Sequence, residues 1–577
     1  MNTARLRHHG RLKRLGRALA RAWYRVRYFA FRPAPGVASP EQRGFVCIQI
    51  DGLSYDHLML AMRKGTMRRM RRWVRGHSLT LRRFHPGLPT STPYAQAGIL
   101  FDVEQDIPGF RWYEREEHRV INCNEPSSSQ YISDHIIHGR PGALEGGVSY
   151  MNMLDGGARR TVFTLSATHN DSLLGRMGGW HLFLLLLFHP LRILRTGFAS
   201  LMELWAEAYD RWLAPEAHSQ QAEVEGIFPL LRVSTNVLLR EMQTFGLLAE
   251  IHVGTPYIYT TYGGYDELAH HFGPTSRAAL QNLRHIDRRI AEIRRMIRYG
   301  ASRPYDLIIL SDHGQTPAVP FTRQFGRTLG ADIAAALRRE RVEEVAGAQA
   351  YMGQRARFLS GRVSESRMAR FPGVTPATRA MLRRLERRSL LPMMRAETVF
   401  LGPEVGAIVT YSSCLAHLYL LAGGGKRLTC NEIEGLYPEL LPHLRAHAGI
   451  GPFFVRDAGG KWVVFEGPNR AELLDGRLER IEGLDPLRME DPHGSFRQEI
   501  WRFLCFPNVG DVVIFGKYDG KRIFCFDDQV GAHGSVGGEQ SRPFLLLPSS
   551  HPMAGARLRG YGAIYRDLLR PYHTARK

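Results

Sequence analysis

The chain has 577 residues, of which 44% are hydrophobic, so it can bury a large core. Lys and Arg number 77 against 55 Asp and Glu, a net charge of +22, which favours anionic partners: phosphorylated substrates, anionic lipid or nucleic acid. The six cysteines are scattered and form no C-x-x-C pair, which excludes a disulfide scaffold and favours a reducing, cytoplasmic setting.

Residues 1–43 form a basic arm whose apolar residues are interrupted by Arg throughout. No secretory h-region forms, but a cationic amphipathic helix on an anionic membrane surface is compatible with it. Residues 44–50, GFVCIQI, read as a buried parallel strand ending at Asp51-Gly52. A helical stretch follows near 56–75, then a strand at 79–84, then the loop HPGLPTSTPYAQAG with Thr90, Ser91 and Thr92. Residues 125–249 contain no comparable strand-and-acid unit and read as a helical insertion over the site. Within it, 180–188 (WHLFLLLLF) is intensely apolar but too short for a bilayer, which needs about 20 residues.

The pattern then repeats. TPYIYTTY at 255–262 is a strand leading into a loop, GGYDELAHHFGP, and residues 275–299 carry apolar residues at helical spacing. YDLIILS at 305–311 is a third buried strand, ending at Asp312-His313-Gly314. Residues 321–504 read as an inserted α+β cap module, and the core resumes with DVVIFG and GAHGSVGG around His533. The core therefore comprises 44–124, 250–320 and 505–577. Alternating strands and helices predict an α/β fold, a doubly wound, mostly parallel sheet with helices on both faces. Ligand sites in such sheets gather at the carboxyl ends of strands, where Asp51, Asp266 and Asp312 fall.

Three Asp and three His at strand or turn ends suit Zn²⁺, Mn²⁺ or a similar divalent ion. A nearby hydroxyl becomes a competent nucleophile only when its pKa is lowered, which a metal does. The ordered set Asp51, PTSTP, DELAHHFGP from 266, DHG from 312 and HG from 533 resembles the alkaline phosphatase superfamily. Within it, the type I phosphodiesterase and nucleotide pyrophosphatase branch is the nearest in pattern. Ala269 replaces an expected Gly. The resemblance covers 44–115, 250–315 and 505–550.

The resemblance implies an alkaline phosphatase-like fold and two metal ions, probed first as zinc, with manganese as the alternative. Asp266, His270 and His533 would hold one ion, and Asp51, Asp312 and His313 the other. Thr92 would be the nucleophile, since the turn expected about ten residues later falls at Asp102; Ser91 and Thr90 are the fallbacks. The branch places an Asn shortly after that turn, whereas this chain reads IPGFRWYER, so Arg111 is the candidate phosphate contact. The expected activity is cleavage of phosphodiester or phosphoanhydride bonds. A phosphomonoesterase or mutase, a lipid-head-group phosphodiesterase or transferase at the membrane surface, and a binding protein on a decayed enzyme fold are the rivals. The sulfatase motif C-x-P-x-R is missing from the loop. Peripheral contact with an anionic membrane and contact with nucleic acid stay open, as does the oligomeric state.

Overall fold

The computed structural model describes residues 42–167, 190–213, 240–337, 340–345 and 405–574, with isolated residues between 18 and 28 and at 237 and 239. Most of the basic arm, the 180–188 segment and the Arg-rich stretch 346–404 lie outside the described residues.

Two sheets organise the rest. The first has seven strands in the order Leu79–Arg83, Phe544–Pro548, Tyr305–Leu310, Gly44–Ile50, Tyr257–Tyr262, Val148–Tyr150, Arg160–Val162. Only Phe544–Pro548 runs against its neighbours. Both faces are covered, which is why Gly44–Ile50 is buried at every position and reads as an apolar run interrupted only by Gln49. Val46, Ile48 and Ile50 face one layer, with Leu283, Ile286, Ile290 and Ile293 of the helix Arg277–Tyr299. Phe45 and Cys47 face the other, with Ala95 and Ile99 of the helix Thr92–Phe101. The Arg277–Tyr299 helix starts at Ser276, whose hydroxyl accepts from the amide of Ala279, the usual N-cap arrangement.

The second sheet has eight strands: Arg341–Val345, Val405–Ser412, Leu415–Leu420, Val512–Gly516, Ile450–Arg456, Trp462–Glu466, Asn469–Leu474 and Arg477–Glu482. After a parallel first pair, its neighbours are antiparallel.

Three elements differ from the expectation drawn from the sequence. Val512–Gly516, expected in the core, lies in this second sheet between Leu415–Leu420 and Ile450–Arg456. The interval 125–249 is not purely helical, because Val148–Tyr150 and Arg160–Val162 extend the central sheet. The segment following Tyr262 is not a loop: Gly264–Phe272 is a helix. That last change matters, since it puts Asp266 and His270 one turn apart on a single helical face.

Candidate active site

Four chain segments meet at the carboxyl edge of the central sheet. Asp51 follows Gly44–Ile50, and Asp312 and His313 follow Tyr305–Leu310. Asp266 and His270 come from the helix Gly264–Phe272, and His533 from the turn after the short strand Gly531–Ala532. Gly52 has φ +68, and a Cβ there would collide with Asp266 Oδ1; its amide instead donates to Asp312 Oδ1 at 3.3 Å. Only Gly lets these carboxylates close around the turn.

The three imidazoles are held alike. His270 Nδ1 lies 2.7 Å from Gly531 O, His313 Nδ1 2.9 Å from Gly314 O, and His533 Nδ1 2.7 Å from Thr90 O. A carbonyl only accepts, so each Nδ1 carries the proton and each Nε2 is turned to the site. His270 Nε2 sits 3.1 Å from Asp266 Oδ2 and 3.2 Å from His533 Nε2. His313 Nε2 sits 3.4 Å from Asp312 Oδ2 and 4.0 Å from Asp51 Oδ1. Donor atoms of Asp51, Asp312 and His313 lie within 4.8 Å of one another, as do those of Asp266, His313 and His533.

This arrangement fits divalent cations. Asp312 is fully buried, and its Oδ2 has no hydrogen-bond partner. Burial, and then the neighbouring carboxylates Asp312 and Asp266, push Asp51 well above the usual carboxylate range. Asp312 rises to about 6, through burial first and the charge of Asp266. Burial opposes charge on Asp266 and His270 too, but their pairing wins: Asp266 falls far below its ordinary value and His270 rises to about 9. A proton there occupies the position that a cation would take. Burial, then the charge of His313, drives His533 down, leaving its Nε2 lone pair available.

Thr92 stands at the first position of its helix, and Thr92 Oγ1 lies 3.3 Å from both Asp51 Oδ1 and His313 Nε2. The helix is positioned by Gln96 on its buried face. Gln96 Nε2 donates to Thr261 Oγ1 at 3.2 Å, and its Oε1 accepts from the amides of Met153 (2.9 Å) and Leu154 (3.2 Å). The helix ends at Asp102 in the left-handed region, φ 59, the turn where a Gly is ordinarily found. Of the fallback hydroxyls, Thr90 Oγ1 is engaged by the 533–535 turn: it accepts from the amide of Gly534 (2.9 Å) and donates to Ser535 O (3.0 Å). Ser91 Oγ is buried without a partner.

Asp51, Thr92, Asp266, His270 and His533 floor a cavity whose walls include Phe110, Arg111, Asn124, Glu267, Ser412, Ser413, Asp527 and Gln529. Arg111 is buried, and its Nη1 donates to Tyr411 O (2.7 Å) and Asp527 Oδ2 (3.3 Å). Much of its charge is therefore spent inside the protein. The sequence reading missed Asn124. It is 2% exposed, lines the cavity, and its Oδ1 has no partner. It follows the hairpin Arg111–Glu114/Arg119–Asn122, whose register sets Arg111 opposite Asn122. A search immediately after the Asp102 turn stops short of it. The second sheet's share was equally invisible: the tip between Val405–Ser412 and Leu415–Leu420 reaches the site, with Phe110 N donating to Ser412 Oγ (2.8 Å) and Ser413 N to Asp527 Oδ2 (2.8 Å).

Residues 194–367 match the family described as type I phosphodiesterase / nucleotide pyrophosphatase. No curated protein matches by sequence. Among solved structures, an inactive variant of murine ectonucleotide pyrophosphatase / phosphodiesterase 5 with AMP is similar at 10% identity and TM-score 0.44, covering 92% of this chain and 95% of that one. Phosphonoacetate hydrolase from Sinorhizobium meliloti 1021, with phosphonoformate, gives 14% identity and TM-score 0.39, with 92% and 96% covered. Wild-type alkaline phosphatase PafA gives 11%, 0.43, 89% and 91%. The matched stretch holds Asp266, His270, Asp312 and His313, four of the residues that meet at the edge of the central sheet.

Proposed function

We propose that the protein cleaves phosphodiester or phosphoanhydride bonds with Thr92 as nucleophile. The observation that carries this reading is Thr92 Oγ1, at the cavity floor and a helix N-terminus, 3.3 Å from Asp51 and from His313. Asp266, His270 and His533 would hold one divalent ion, and Asp51, Asp312 and His313 a second. When bound, such ions, zinc or manganese, lower the pKa of a nearby hydroxyl and offset charge on phosphoryl oxygens.

The chain's own residues do the rest. Thr92 Oγ1 attacks phosphorus in line with the leaving oxygen, and the phosphoryl group passes to Thr92 and then to water. The positive end of the Thr92–Phe101 helix favours the anion at this position. The Asn124 amide donates to a phosphoryl oxygen. Arg111 lines the same wall as a phosphate contact, but its pairing with Asp527 leaves little charge for a dianionic monoester. This favours a diester, which carries one negative charge.

The test sets bis-p-nitrophenyl phosphate beside p-nitrophenyl phosphate, with Zn²⁺ or Mn²⁺, for wild type and Thr92→Ala. The expected result is diester preference, lost on substitution and on chelation. Monoester preference would move the function to a phosphatase or mutase. Activity surviving in Thr92→Ala would overturn the nucleophile assignment.

A further inference from the structure

The helix Pro190–Leu213 has its polarity reversed for a helix lying on a protein. Leu194, Phe198, Leu201 and Trp205 are 69, 66, 68 and 58% exposed. Their spacing of four, three and four residues aligns them in one stripe. Thr196, on the opposite side, is buried at 8% exposure. The helix therefore turns a hydroxyl toward the protein and its apolar ridge outward.

The ridge borders a cationic surface. The helix runs beside Arg277–Tyr299, with the Arg277 guanidinium 4.7 Å from the Tyr209 ring centre. Burial, and then the charges of Arg69, Arg284 and Arg195, depress Arg288, so four guanidinium groups crowd this flank. Arg69 belongs to the neighbouring helix Arg68–Arg75, RRMRRWVR, which is tied to Arg277–Tyr299 through Asp287 and by Arg294 stacked 4.5 Å from the Trp73 ring centre. That helix borders a surface hollow lined by Arg and Lys, with no acidic residue among the described residues. At the far end of Arg277–Tyr299, Tyr24 sits against Gly300, and Leu19, Trp23 and Val26 are 61–68% exposed.

We propose that this flank docks on an anionic lipid surface, with the Pro190–Leu213 helix lying in the interface and the arginines against the headgroups. Nucleic acid would answer the arginines and leave the apolar ridge in water. A second copy would cover the ridge but set arginine against arginine. A bilayer bearing acidic headgroups satisfies both features at once. The inference is independent of the reaction assigned to the site.

The test is sedimentation of the full chain with vesicles of phosphatidylcholine, alone or mixed with phosphatidylglycerol. Wild type is expected to bind the mixed vesicles only. Phe198→Asp/Trp205→Asp and Arg284→Glu/Arg288→Glu should each bind about tenfold more weakly, with hydrolysis of bis-p-nitrophenyl phosphate in solution unchanged. If the aspartates impair folding, quenching of wild-type tryptophan fluorescence by brominated lipid, reduced in Trp205→Phe, reads the same insertion. Three results would overturn the proposal: no binding of wild type to mixed vesicles; binding unaltered by both double variants; or a dimer that Phe198→Asp/Trp205→Asp converts to monomer without vesicle binding by wild type. Binding to duplex DNA alone, lost only in the arginine variant, would also overturn it.

Discussion

His533 Nδ1 donates to the backbone carbonyl of Thr90 at 2.7 Å, so a candidate metal ligand is bolted to the loop that presents Thr92. Thr90 returns the contact through its hydroxyl, which bridges Gly534 N and Ser535 O. Thr90→Val keeps the shape but leaves the Gly534 amide without its acceptor in a buried site. The expected cost is about 1–3 kcal/mol of stability. A small displacement of Thr92 lowers kcat by roughly 10- to 100-fold. Activity that survives at this reduced level in Thr90→Val, beside none in Thr92→Ala, separates a clamp from a nucleophile. Urea unfolding and steady-state kinetics on the same preparations check both effects.

Asp312 and Asp51 bear on what metal removal does. Both are buried, and both are raised by burial and by carboxylate neighbours, so the metal-free protein holds them together at a cost. Chelation should therefore lower the melting temperature as well as abolish activity. Asp312→Asn removes one of the opposing charges and keeps the shape. In chelator it should melt higher than wild type, and added Zn²⁺ should raise its melting temperature by less. Equal melting of the two proteins in chelator would mean that the carboxylates do not oppose each other. Differential scanning fluorimetry, with and without chelator, makes the comparison.

The parts of this site legible in the sequence are those that follow buried parallel strands. Gly44–Ile50 and Tyr305–Leu310 are covered on both faces, so each shows as an apolar run with an acid just beyond it. Val148–Tyr150 and Arg160–Val162 have three residues each, too few for any period to register, although they extend the same sheet. Val512–Gly516 carries the same apolar signature as a core strand, and an apolar run does not say which sheet it joins. Asn124 and Gln96 were missed for another reason. Each acts through the path of the chain: Asn124 by following a hairpin, Gln96 by facing a strand 165 residues away at Thr261.

Gly52→Ala tests the close approach at the floor of the site. The added Cβ would meet Asp266 Oδ1, and φ +68 disfavours any side chain. Asp266 must move or the turn must open, and either separates the two ligand sets. The expected outcome is a folded protein with kcat/KM lowered by more than ~100-fold, since misplacement on the order of 1 Å costs this much. Zn²⁺ binding by calorimetry should weaken in parallel. Full activity in Gly52→Ala would show that Asp266 tolerates displacement.

His417 predicts how stability responds to acid, away from the candidate site. Its Nε2 lies 2.9 Å from Pro108 O, so Nε2 carries the proton, and its Nδ1 accepts from the amide of Gly510 at 3.2 Å. The neutral ring satisfies both neighbours, whereas a second proton would face the Gly510 N–H. Burial lowers His417 to about 4. A group whose folded pKa is depressed contributes stability that is complete above its unfolded pKa, about 6.5 for histidine, and is lost as pH falls toward the folded value. The full swing across that window is on the order of 3 kcal/mol. The urea midpoint should therefore drop between pH 7 and pH 5 in wild type. His417→Gln should be less stable at pH 7, because it cannot meet both partners, yet lose less between those two pH values. An equal acid loss in wild type and His417→Gln would assign the sensitivity to other groups.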